Sequence, residues 1–180
     1  MTVEKVHECF AVAKKEEQKG RKHKGLLFIK PNQEEAKGFI IKAKKNLELC
    51  QFYKDKGFDY KVPEEWFYTL YYCALAILSI FGIESRSQRC TALFLKYIKD
   101  KGLIEYDDEL IERIQVYKQK DELSYVDKRE TGRYSTIIEM KEVLQEYDEM
   151  TPLCKRAISQ CEEIVFSGKF FEVPAELVVD

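Results

Sequence analysis

What this sequence has little of narrows it first. Eight glycines and four prolines in 180 residues give too little turn punctuation for a sheet protein and point to helices. There is no Gly-rich phosphate loop, no GxSxG and no HExxH, which removes the commonest NTPase, hydrolase and metalloprotease signatures. The only histidines are His7 and His23, and neither has a base or metal partner nearby in sequence. Six cysteines stand at 9, 50, 73, 90, 154 and 161 without a CxxC pair or a histidine at zinc spacing, so no metal or cofactor is expected. They read as buried free thiols of a reduced, cytoplasmic protein, with a redox or metal role as the alternative. No apolar leader accompanies Glu4, Lys5 and Glu8, so no secretory signal is expected. Thirty Lys+Arg against 32 Asp+Glu give a formal charge of −2, which argues neither for a globally basic nucleic-acid binder nor for an acidic disordered tail.

What is present is one long apolar run. From Trp66 to Phe81 every residue except Thr69 and Ser79 is apolar or aromatic. A helix hydrophobic all round must be enclosed by other elements. Pro63 suits a first turn, Glu64 and Glu65 suit the positive end, and Gly82 suits the stop. The run is too short and too polar at its ends to span a membrane. It predicts a buried central helix over about 63–81.

Around it, Val3, Val6, Phe10 and Ala13 recur at helical spacing over 2–19. A basic loop follows (Arg21, Lys22, His23, Lys24 between Gly20 and Gly25), then Leu26–Ile29, too short to assign as extended or helical. Asn32 with Glu35 forms a capping-box-like start for a helix whose stripe is Ala36, Ile40, Ala43, Leu47 and Cys50. After Gly82, residues 83–89 read as a connector into a helix carried by Leu93, Phe94, Tyr97 and Ile98, ended by Asp100-Lys101-Gly102. Asp107 and Asp108 open another helix, expected to reach Lys128. The last runs from about Ser135 to Phe166 with Ile137, Leu144, Tyr147, Cys154, Ala157, Cys161 and Ile164 inward, and Pro152 should kink or interrupt it. The expected fold is all-α: an antiparallel up-and-down bundle of five to six helices in one domain, 1–180. Residues 1–31 add the N-terminal helix and basic loop, and 167–180 form an irregular tail.

Two constellations carry potential chemistry. The helix from Asp107 has an inward stripe of Asp107, Ile111, Ile114, Lys118, Asp121 and Tyr125 that turns from apolar to charged. Either that end emerges into solvent with Lys118, Asp121 and Glu122 as surface ion pairs, or it lines a polar cleft or oligomer interface. The second is Arg86-Ser87-Gln88-Arg89, where two arginines at a helix start either are solvated or hold a phosphate. The basic loop 20–24 poses the same choice, with a nucleic-acid backbone as the ligand.

Tyr71-Tyr72-Cys73-Ala74, then Gly82-Ile83 with Ser87-Gln88-Arg89, then Lys101-Gly102-Leu103-Ile104 and Tyr117…Lys120-Asp121-Glu122-Leu123-Ser124-Tyr125 resemble, in order, the motifs of the HEPN domain. The resemblance covers about 34–166. It implies a small helical bundle, often a homodimer. It also implies a role with RNA or a nucleotide, or beside a nucleotidyltransferase-like partner in a toxin–antitoxin system. Ribonuclease members of that family use an Arg and a His four to six residues apart. Here Gln88 stands where His would be, Lys120 where Arg would be and Ser124 where Asp would be, and no such pair exists. Gln cannot exchange a proton near neutral pH, and Lys lacks the planar fork of Arg. The expectation is a non-catalytic HEPN-like module with ligand-binding candidates Arg86, Ser87, Gln88, Arg89, Lys118, Lys120, Asp121 and Tyr125. The alternative is a divergent, metal-independent endoribonuclease using other groups.

Overall fold

The computed structural model describes residues 2–115 and 141–178. Among them are six α-helices and one two-stranded antiparallel ladder. In chain order these are α1 (Thr2–Gln18), β1 (Leu26–Phe28), α2 (Gln33–Asp55), a 3-10 turn (Asp59–Lys61) and α3 (Val62–Ile80). Then come β2 (Ile83–Ser85), α4 (Gln88–Asp100), α5 (Asp108–Glu112), α6 (Lys141–Val165) and a closing 3-10 turn (Ala175–Leu177).

The apolar run forms α3, with Pro63 in its first turn. Trp66, Phe67, Leu70, Cys73, Ala74, Ala76, Ile77 and Leu78 are all buried. Burying the larger of these side chains contributes roughly 1.5–3 kcal/mol each, so α3 is the axis of the core. Its enclosure is not complete: Tyr68, Tyr71, Tyr72 and Leu75, at helical spacing, stay half-buried. Tyr68 stacks on Tyr72 at 5.6 Å and Tyr72 on Phe39 of α2 at 6.0 Å.

α2 runs antiparallel to α3, since Glu35 meets Ser79 near one end and Asn46 meets Glu65 near the other. α6 lies on α3 in the same direction: Cys154 faces the Trp66 carbonyl, and Cys161 donates to the Cys73 carbonyl at 3.3 Å. α1 packs against α4 and β1. The tail is pinned to α4, as Tyr97 and Lys101 both bind Glu176 and Leu177 is buried.

Asn32 caps α2 as expected, its side chain accepting from the Glu35 N–H at 3.0 Å. The reciprocal half of the box is replaced. The Asn32 N–H donates to the Ser79 carbonyl and the Glu35 carboxylate accepts from the Ser79 hydroxyl, so the cap fastens α2 to the end of α3.

Several expectations are corrected. Cys9 and Cys90 form a disulfide between α1 and α4, with Cα atoms 5.8 Å apart; only Cys50, Cys73, Cys154 and Cys161 are free buried thiols. A bridge across 81 residues leaves no trace in local spacing. The connector after Gly82 begins with strand β2, and Leu26–Phe28 is its partner. The helix from Asp107 closes at Glu112, and Ile114 and Gln115 turn with i→i+3 bonds; its expected continuation from 116 lies outside the described residues, as does Ile137. Leu144 points outward at 44 % exposure, and Val143, Met150 and Leu153 are buried instead. Pro152 does not interrupt α6; packing on α3 outweighs the one backbone bond it removes.

Candidate functional site

The polar end of the molecule is built by the turn after α3. Gly82 has φ +72°, and a Cβ there would come within 2.6 Å of the Ile29 carbonyl. Only glycine allows the chain to reverse so closely. β2 then pairs Leu26 with Ser85, Leu27 with Glu84 and Phe28 with Ile83. The ladder is extended at one end by Ile29 N–H to the Gly82 carbonyl at 2.8 Å, and at the other by Arg86 N–H to the Gly25 carbonyl at 3.1 Å. This register brings the basic loop beside the Arg86–Arg89 segment.

His23 is the joint. Its residue is 5 % exposed, its Nε2 lies 2.7 Å from Glu84 Oε1, and its Nδ1 accepts from the Gly25 N–H at 3.4 Å. Those partners assign the proton of the neutral ring to Nε2. Arg86 Nε donates to the same carboxylate oxygen at 2.9 Å. The hydrogen bond from His23, aided by Arg86 against a desolvation cost, holds the Glu84 carboxyl below its ordinary value. Gly25 completes the joint: a Cβ there would lie 2.1 Å from the Cys9 carbonyl, so glycine lets the loop rest on α1.

At the start of α4, the Ser87 hydroxyl accepts from the Cys90 N–H at 3.2 Å. Thr91 donates between the Ser85 hydroxyl at 2.8 Å and the Ser87 carbonyl at 2.9 Å. Tyr71 of α3 borders this network. Burial raises its hydroxyl above the ordinary value, with the Thr91 hydroxyl opposing. Arg89 reaches Glu8 of α1 at 3.7 Å, both side chains well exposed.

Of the residues expected to bind a ligand, Arg86 and Arg89 are exposed while Ser87 and Gln88 are half-buried. All four gather at one edge. Lys118, Lys120, Asp121 and Tyr125 lie outside the described residues. The sequence reading left His23 without a partner; it has one in Glu84. A histidine between cations in a glycine-bracketed loop was the available hint, because a loop needs an anchor, but the anchor lies 61 residues away. Arg21, Lys22 and Lys24 are exposed on the same edge. Within the cluster Arg86 pairs with Glu84 and Arg89 with Glu8, while Glu16 and Glu17 of α1 adjoin the start of the loop.

Comparison with family models, curated proteins and solved structures returned no match.

Elsewhere, a shallow cavity of about 250 Å³ between the α4–α5 connector and the end of α6 is lined by Leu103, Ile104, Glu163, Ile164 and Phe171 among others. It shares no residue with the basic edge. Among the described residues no cluster of His, Cys, Asp and Glu is arranged to hold a metal. Burial raises the thiols of Cys50 and Cys154 far above the ordinary range, and the Cys161 contact with burial does the same to Cys73. Protonated, enclosed thiols are poor nucleophiles and poor ligands.

Proposed function

We propose that this protein is a non-catalytic, HEPN-like helical module that binds a single-stranded RNA backbone along the edge formed by loop 20–24 and Arg86–Arg89. The observation that carries this reading is the His23–Glu84 bond, which places two cationic segments, far apart in sequence, side by side. Lysine and arginine side chains on such an edge neutralise phosphates and release counterions, giving weak, salt-sensitive affinity without base readout.

Binding rather than turnover is favoured by how the titratable groups are engaged. The His23 ring is buried, with Nε2 on Glu84 and Nδ1 on the Gly25 N–H, so neither nitrogen is available to a substrate proton. The Glu84 carboxyl, held low by its donors, is a weak base at neutral pH. Tyr71, raised by burial, is a poor acid.

Fluorescence anisotropy with a labelled single-stranded RNA tests this. The expected Kd is on the order of 10⁻⁴–10⁻⁶ M at physiological salt and tightens as salt falls. Arg86→Glu with Arg89→Glu should weaken it about tenfold or more. Unchanged affinity in that variant and in Arg21→Glu/Lys22→Glu/Lys24→Glu would overturn the RNA reading and leave a partner protein as the better ligand class. The homodimer and a nucleotidyltransferase-like partner remain proposals that the motif resemblance supports. Light scattering at micromolar concentration tests the first, and a species of 21.3 kDa alone would sink it.

A further inference from the structure

We infer that the Cys9–Cys90 disulfide is a redox clasp that decides whether α1 and the basic loop stay assembled on the body of the protein. The proposal concerns the assembly of this edge and not its ligand, so it stands or falls separately from the RNA reading.

Three observations converge on this bond. First, α1 is otherwise lightly held. Its fully buried side chains besides Cys9 are Val6 and Ala13, with Val3 only partly buried against the core; of these Val6 alone removes a full apolar side chain from water. Phe10 adds one stacked contact with Phe28 at 4.3 Å, and Phe28 itself is 46 % exposed. Second, the elements of the basic edge meet at the clasp. Glu8 and Arg89, the immediate neighbours of the two cysteines, form an ion pair. Gly25 is wedged against the Cys9 carbonyl, and the Cys90 N–H is the donor that the Ser87 cap receives. Third, the other four cysteines are buried free thiols, in α2, α3 and α6, Cys161 donating to the Cys73 carbonyl without bridging to it. Only the cysteines of α1 and α4 form a bridge.

The chemistry is a two-electron exchange with a dithiol reductant. One thiolate of the reductant attacks Sγ of Cys9 or Cys90, the S–S bond breaks, and the other Sγ leaves as a thiolate and takes up a proton. The second thiol of the reductant resolves the mixed disulfide, so the reductant ends as a disulfide and both cysteines as thiols. Cys9 and Cys90 are 1 % and 4 % exposed, so attack requires the side chains around the intact bond to open locally and admit the reductant. Once the bond is open, nothing covalent returns α1 to α4. The helix can then swing out with Glu8, freeing Arg89 and withdrawing the support of Gly25 and His23.

Thiol counting and hydrogen exchange on the full-length protein test the clasp. After mild oxidation with diamide and denaturation without reductant, alkylation should label the four cysteines that are free. After reduction it should label all six. Six labels without reductant would overturn the proposal. In the native protein, dithiothreitol should speed amide exchange in 2–25 about tenfold or more while α3 and α6 hold their rates. Cys9→Ala/Cys90→Ala should show the fast pattern with or without reductant. Should that variant fail to fold, the wild-type comparison still decides. Unchanged exchange in 2–25 on reduction, or loosening of α3 and α6 to the same degree, would each overturn the clasp.

Discussion

His23 Nε2 lies 2.7 Å from Glu84 Oε1 across 61 residues of sequence, and this bond, beside that from the Arg86 N–H to the Gly25 carbonyl, fastens the loop after α1 to strand β2. A buried imidazole facing a carboxylate that also receives Arg86 is a structural tie whose worth depends on the carboxylate staying charged.

A pH dependence follows. The folded-state Glu84 carboxyl titrates below its ordinary value because His23 and then Arg86 donate to the charged form. An unfolded glutamate titrates near about 4.3. The stabilisation is therefore complete above that value and is lost as pH falls through the lowered folded value. Glu84→Gln keeps an acceptor and removes the charge. Its stability deficit relative to wild type should be full at neutral pH and shrink in acid, as measured by urea titration between pH 3 and 7. A deficit independent of pH would contradict the assignment.

The two faces of α3 should respond differently to truncation. Ile77 is wholly buried, so Ile77→Ala should cost about 2–5 kcal/mol. Leu75 lies on the half-buried tyrosine stripe, and Leu75→Ala should cost less, roughly 1–2 kcal/mol, because part of its surface is already wet. Equal losses in chemical denaturation would mean that this stripe is covered in solution.

Ser87 is read as a cap. Ser87→Ala removes the acceptor of the Cys90 N–H and should destabilise by about 1 kcal/mol, with Ser87→Gly closer to wild type. If Ser87→Gly is clearly worse than Ser87→Ala, the cap is not what Ser87 contributes.

Gly82→Ala should be costly for two reasons. Its φ of +72° is strained for an L side chain, and the new methyl would meet the Ile29 carbonyl at 2.6 Å. A loss of roughly 1–3 kcal/mol is expected from such backbone strain, read as a fall in Tm. Gly57→Ala, with a similar φ but open space around it, should cost less.

Much of the architecture was legible because it is written in local terms. The run from Trp66 to Phe81, Pro63 and Gly82 together specify α3, and Asn32 with Glu35 specify the start of α2. The disulfide and the two-stranded ladder were not legible. Three-residue strands carry no period that separates them from a turn, and Cys9 meets Cys90 only once α1 lies on α4. The expectation of reduced cysteines rested on their spacing, on how often free Cys is buried and on the lack of an apolar leader around Glu4, Lys5 and Glu8. Disulfides persist in oxidising compartments and inside hyperthermophiles, so the cytoplasmic expectation loses that support. Leu144 misled because a helical stripe read from its apolar positions alone is ambiguous by one residue, and Val143 occupies the inward place. The candidate site was half legible. Arg86–Arg89 and loop 20–24 were each visible as cationic segments, but their meeting depends on a pairing between residues 26–28 and 83–85 that no local pattern announces.

The central claim is that the basic edge holds RNA without cutting it. The most direct measurement is the length of a labelled single-stranded RNA after prolonged incubation with purified protein in EDTA, read on a denaturing gel beside a protein-free control. The account predicts full-length RNA in both, with wild type and His23→Ala indistinguishable. Shortened RNA with the wild type, abolished by His23→Ala, Arg86→Ala or Lys120→Ala, would contradict it and establish the divergent endoribonuclease in its place.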